Sequence, residues 1–122
     1  MNYSVDYLSD VDIVCIQVIG RMNFHSAEKY SKEAVNLARK NNCHNFLFDH
    51  RFTTFHGGAI NFHTSEDELQ QFGFNNKDRI AIVLQKQKRN STLVEKVNRN
   101  ESWSIIKYFL RGDKSEAIAW LN

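Results

Sequence analysis

Phe46-Leu47-Phe48-Asp49 runs straight into His50-Arg51-Phe52-Thr53-Thr54-Phe55-His56-Gly57-Gly58. A short apolar run ends on a carboxylate and opens into charge, hydroxyls, imidazoles and two glycines. Apolar residues without alternation mark a strand buried on both faces, as in parallel sheets covered by helices. Functional sites of open α/β sheets sit at the carboxyl ends of such strands. Residues 46–49 therefore read as a central strand. The loop expected from His50 to about His63 reads as the place where the domain acts.

Upstream, Tyr3, Val5 and Tyr7 alternate with polar residues, Ser9-Asp10 offers a turn, and a β-branched run follows from Ile13 to Ile19, closed by Gly20. Two strands around a short polar turn form an antiparallel pair, the first an edge and the second central. Asn23 is placed to cap a helix whose apolar stripe is Ala27, Tyr30, Ala34, Leu37 and Ala38. Arg39 and Lys40 suit its carboxyl end, and Asn41-Asn42 can adopt the left-handed conformation that stops it.

Downstream, Thr64 or Ser65 can cap a short helix, Ser65 and Glu68 having capping-box spacing, with Leu69 and Phe72 as contacts and Gly73 as its stop. Arg79 opens a fourth strand reaching Leu84. Asn90 or Ser91 caps a third helix carrying Leu93, Val94 and Val97. Residues 103–110 read as a fifth strand. Gly112 breaks it, and Asp113 with Glu116 starts a final helix packing Ala117, Ile118 and Leu121. The order is β-β-α-β-α-β-α-β-α. It implies an α/β fold with a mixed, mostly parallel five-stranded sheet, because strands that alternate with helices need crossover connections.

At 122 residues, 42% of them hydrophobic and 25% charged, the chain reads as one globular domain over residues 1–122. It is long enough to bury about two-thirds of its unfolded surface. Net charge is +2, with the cations dispersed. The cluster Lys86-Gln87-Lys88-Arg89 reads as a solvated helix entrance, so nucleic acid is not the expected partner. No basic and apolar leader opens the sequence, and no apolar run approaches the about 20 residues a membrane span needs. Cys15 and Cys43 are isolated, as in a reducing compartment. A cytoplasmic protein is expected.

The order of elements at this length resembles the STAS fold, the SpoIIAA-like superfamily of anti-sigma-factor antagonists. The closer resemblance is to small stand-alone STAS-like bacterial proteins, akin in structure to the CRAL-TRIO lipid-transfer fold. It rests on the strand ending Ile19-Gly20-Arg21-Met22, on Phe46-Leu47-Phe48-Asp49 with Arg51, on Arg79-Ile80-Ala81-Ile82-Val83, and on Ser115-Glu116-Ala117-Ile118-Ala119-Trp120-Leu121. None of these is a catalytic signature. The resemblance implies a non-enzymatic regulatory or protein-interaction module, or, through the CRAL-TRIO kinship, a carrier or sensor of a small apolar ligand. Signalling antagonists carry a phosphorylatable serine in an Asp-Ser-Ser-Gly-like turn after the third strand. Here the matching stretch keeps an acid and the hydroxyls of Thr53 and Thr54 without that motif.

The candidate partner or ligand site is Asp49, Arg51, Phe52, Thr53, Thr54, Phe55, His56, Ile60 and Phe62, with Thr53 and Thr54 the candidate phosphorylation sites. Asp49 and Arg51 could bind a polar head group or a partner's charge, or could satisfy the loop's own backbone. Arg51→Glu is expected to cost binding and leave stability intact. Phe52, Phe55, Ile60 and Phe62 pack over the sheet, line an apolar pocket or join a homodimer interface. The threonines can also serve loop backbone groups. His50, His56 and His63 share the loop without metal-ligand spacing, so no metal or cofactor is assigned. Gly57-Gly58 lacks phosphate-loop spacing. A receiver-type phosphoacceptor role for Asp49 lacks its acidic pair, because the second strand ends Gly20-Arg21-Met22.

Overall fold

A computed structural model describes residues 2–21, 24–54, 70–85, 106–110 and 114–122. Its elements are β1 (Asn2–Leu8), β2 (Ile13–Arg21), α1 (Phe24–Lys40), β3 (Asn45–Thr54), β4 (Arg79–Leu84), β5 (Ile106–Leu110) and α2 (Lys114–Leu121). The strands form one five-stranded sheet in the order β1-β2-β3-β4-β5. β1 runs antiparallel to β2, and all later pairs are parallel. This is the expected mixed, mostly parallel α/β architecture.

Strand alternation divides the core into two layers. Val14, Ile16 and Val18, Phe46 and Phe48, Ile80, Ile82 and Leu84, and Tyr108 meet Ala27, Tyr30, Ala34, Val35 and Ala38 of α1. On the other face Ile13, Leu47, Ala81, Val83 and Phe109 meet Ala117 and Leu121 of α2. β1 turns Tyr3, Val5 and Tyr7 toward the first layer, and Tyr3 Oη donates to Glu33 on α1 at 2.9 Å. An edge strand needs only one apolar face, which its alternation supplies.

Helix α1 stops as its asparagines imply. Asn42 is left-handed, with φ 50°. Its N–H donates to the Arg39 carbonyl, and the Cys43 N–H donates to the Ala38 carbonyl, which is a Schellman closure. Residues 70–72 are helical and end at Gly73, whose φ of 105° favours glycine. A Cβ there would also stand 3.2 Å from a methyl of Val35. The rest of that helix, all of the helix expected after Asn90, and residues 103–105 of the expected fifth strand lie outside the described residues.

Two boundaries move. β2 continues through Gly20 to Arg21, with Gly20 at φ 100°. β3 does not end at Asp49 but continues to Thr54, so His50, Arg51, Phe52, Thr53 and Thr54 belong to a strand rather than a loop. The side chains of His50, Arg51 and Thr53, which look like loop chemistry, find partners within β2 and β3, and β-branched threonines suit a strand.

Candidate functional site

β3 contains the irregularity that shapes the site. Gln17 of β2 pairs with Asp49, while Ile19 pairs with Phe52. Two residues of β3, His50 and Arg51, therefore stand opposite Val18 alone. This is a bulge, uncommon between parallel strands and frequent where a side chain must be re-aimed. Simple alternation from Phe46 and Phe48 would send Phe52 under α1. The extra residue brings it instead beside Ile19, on the sheet face that α2 covers only in part. Ile19 and Phe52 are 47% and 53% exposed.

Asp49 lies mid-strand between Gln17 and Val83 and is 1% exposed. Its Oδ1 accepts from Arg51 Nε at 2.8 Å and from the Arg51 backbone N–H at 3.2 Å, and its Oδ2 accepts from Arg51 Nη2 at 2.8 Å. Lys114 Nζ, from the first residue of α2, stands 3.7 Å from Oδ2. Burial alone would raise the carboxyl pKa. The Arg51 hydrogen bonds and the charges of Arg51 and Lys114 outweigh it, and the net shift is downward. Asp49 is a carboxylate at neutral pH. The Arg51 guanidinium also lies 5.4 Å from the Phe52 ring centre, a cation–π distance.

On the opposite side of the bulge His50 is buried and stacked on Phe48. Thr53 Oγ1 donates to the Val18 carbonyl at 2.7 Å, so across its 3.0 Å contact with His50 Nδ1 it accepts. That assigns the Nδ1–H tautomer. Burial pushes the His50 pKa down to about 3, against a small opposing effect of Asp49. The imidazole is neutral.

The nine candidate residues thus separate. Asp49, Arg51 and Phe52 come together on one face. Thr53 is buried, its hydroxyl engaged with the β2 backbone, whereas Thr54 is exposed at the end of β3. Phe55, His56, Ile60 and Phe62 lie outside the described residues, so of the apolar wall imagined for a carried ligand only Phe52 is placed, and it faces solvent. The expectation for Arg51→Glu needs correction: Arg51 neutralises a buried carboxylate, so charge reversal there also removes a structural partner.

Sequence reasoning overlooked two members of the site. Ile19 resembled core, although its place just before Gly20-Arg21 marked a strand end. Lys114 carries no local signal at all, since only the docking of α2 brings it to Asp49. Cys15 lies on the same face, and burial raises its thiol pKa despite Lys114, so it is not primed as a nucleophile. Among the described residues no group of three His, Cys, Asp or Glu side chains could hold a metal ion, and no helix is long and apolar enough to cross a membrane.

The structure is similar to that of the anti-sigma factor antagonist SpoIIAA in its unphosphorylated form, with a TM-score of 0.50 and 13% identity, over 98% of this chain and 96% of that one. This chain has the SpoIIAA-like fold. Neither the scan of family models nor the search of curated proteins finds a match. At 13% identity the likeness carries the SpoIIAA-like fold alone, and the site is read from this chain's own residues.

Proposed function

We propose that this chain is a non-enzymatic regulatory module that binds a protein partner at the carboxyl ends of β2 and β3, on the surface formed by Ile19, Arg51 and Phe52. The observation that carries this reading is the exposed pair Ile19 and Phe52, side by side in register and next to a partly exposed cation. Contiguous exposed apolar groups rimmed by charge are what partner-binding surfaces present. A fold shared with a protein named as an antagonist of another protein supports the same class of function. Thr54 at the end of β3 is the hydroxyl of the threonine pair that a modifying enzyme can reach. A phosphate there would add charge beside the surface and change partner affinity.

The test is affinity capture from the native cell extract with the wild-type chain and with the double variant Ile19→Ser/Phe52→Ser, both verified as folded by circular dichroism. A protein held by the wild type and absent from the variant is the expected result. Identical captured sets would defeat the reading. Thr54→Glu, measured against the captured protein, should shift its affinity, and an unaltered affinity would remove Thr54 as a switch.

A further inference from the structure

The inference here rests on that reading of where a partner binds and concerns what the partner is. We infer that it is an acidic segment bearing a large apolar side chain, with the apolar group seated on Ile19 and Phe52 and the carboxylates beside Arg51 and Lys114. The apolar element is explicit. Ile19 and Phe52 are register neighbours, each about half exposed. α2 lies over Ile13, Leu47, Ala81, Val83 and Phe109 instead.

The charge is equally defined. Arg51 and Lys114 converge on one carboxylate. The side chain of Asp49 is 1% exposed, against 26% for Arg51 and 37% for Lys114. Among the described residues two cations to one carboxylate leave the cluster net positive, and the cations are its solvent-facing part. The Arg51 hydrogen bonds to Asp49 use Nε and Nη2, leaving Nη1 uncommitted among the described residues. Because the guanidinium also sits against the Phe52 ring, a carboxylate meeting Arg51 arrives next to the apolar pair. Opposite Ile19 and Gln17 the edge strand offers Asn2 and Ser4, which carry no charge. Its Asp6 is further along, opposite Cys15.

The same features disfavour other occupants. A second copy meeting this patch across a two-fold axis would bring the Arg51 and Lys114 cations against their own equivalents. Among the described residues an anionic membrane surface would meet only two apolar side chains here, far less than the apolar face of an interfacial helix. Long-range attraction of an acidic segment speeds encounter, and the apolar seat holds it.

The experiment is selection of random twelve-residue displayed peptides on the full chain, followed by affinities of the enriched synthetic peptides. The expected peptides carry net negative charge and at least one Phe, Trp, Leu or Ile. Phe52→Ser should weaken them by about tenfold or more, as for an interface anchor, and Lys114→Glu by about fivefold, with affinity falling as salt is raised. Lys32→Glu, an equal charge change on exposed α1, should leave them unaltered. Neutral or basic peptides that still lose affinity on Phe52→Ser would overturn the acidic specification and spare the proposed surface. Peptides indifferent to Phe52→Ser and Lys114→Glu, or no enrichment at all, would count against both. Phosphatidylserine vesicles bound with the same sensitivity, or a wild-type dimer that Phe52→Ser dissociates, would replace the acidic segment with a membrane or a second copy.

Discussion

Two buried carboxylates, Asp78 and Asp49, are each gripped by an arginine fork, yet they serve different ends of the sheet. Asp78, just before β4, is 0% exposed and accepts from Arg39 Nη1 and Nη2 at 3.0 and 2.8 Å. It also accepts from the Asn75 N–H at 2.9 Å and lies 2.9 Å from His44 Nδ1. Those partners come from the end of α1, the approach to β3 and the turn before β4. Asp78 is thus a junction that fixes three segments. Asp49 draws its arginine from two residues along its own strand, and its second cation reaches it only at 3.7 Å. Beside it Ile19 and Phe52 stay about half exposed. One carboxylate closes the fold, and the other sets cations on a surface.

The contrast can be broken by stability measurements. Arg39→Ala removes the fork from a carboxylate buried at a junction and should lower unfolding stability by about 3 kcal/mol or more, read from urea denaturation. Arg51→Ala should cost less, about 2 kcal/mol, because Lys114 can approach Asp49. Equal losses would mean that Asp49 is as much a structural junction as Asp78, and the division proposed here would fall.

Acid sharpens the contrast. His50 has a folded pKa of about 3, below its unfolded value, so between about pH 6.5 and 3 the unfolded chain binds a proton that the folded chain refuses. Stability should therefore fall as pH drops below about 6.5, by at most about 1.4 kcal/mol per pH unit from this group. His50→Asn, whose amide can still donate to Thr53, should flatten the profile from pH 6.5 to 4.5. Asp49 acts lower. Its folded pKa is depressed, so its contribution is present above about pH 4 and disappears as pH falls through the folded pKa. An unchanged slope in His50→Asn would mean that the imidazole does not stay neutral as its burial implies. The smallest effect belongs to the display surface: Phe52→Ser should change stability by about 0.5 kcal/mol or less. A loss above about 1 kcal/mol would make Phe52 part of the core.

Much of the framework was legible before any tertiary structure. The uninterrupted apolar runs around Phe46 and Ile80, the alternation of Tyr3, Val5 and Tyr7, and the helical recurrence from Ala27 to Ala38 are periodic signals, and periodicity encodes which face is buried. Asn42 and Gly73 stop helices through their own backbone preferences. The reach of β3 was not legible, because His50, Arg51 and Thr53 look like loop chemistry until their partners are known. Those partners are Asp49, the Val18 carbonyl and one another.

The residues of the candidate site were half legible. Asp49, Arg51 and Phe52 could be named from the stretch that carries them. Ile19 and Lys114 could not, since both join through pairing and docking between distant segments. The sequence by itself determined the layers, the strand succession and the position of the acid and arginine, because these follow from local preference and the spacing of apolar side chains. Only the tertiary structure decided that Phe52 faces outward beside Ile19 and that Lys114 reaches Asp49. A one-residue shift in register inverts the face of each following side chain, and that shift is set by the neighbouring strand.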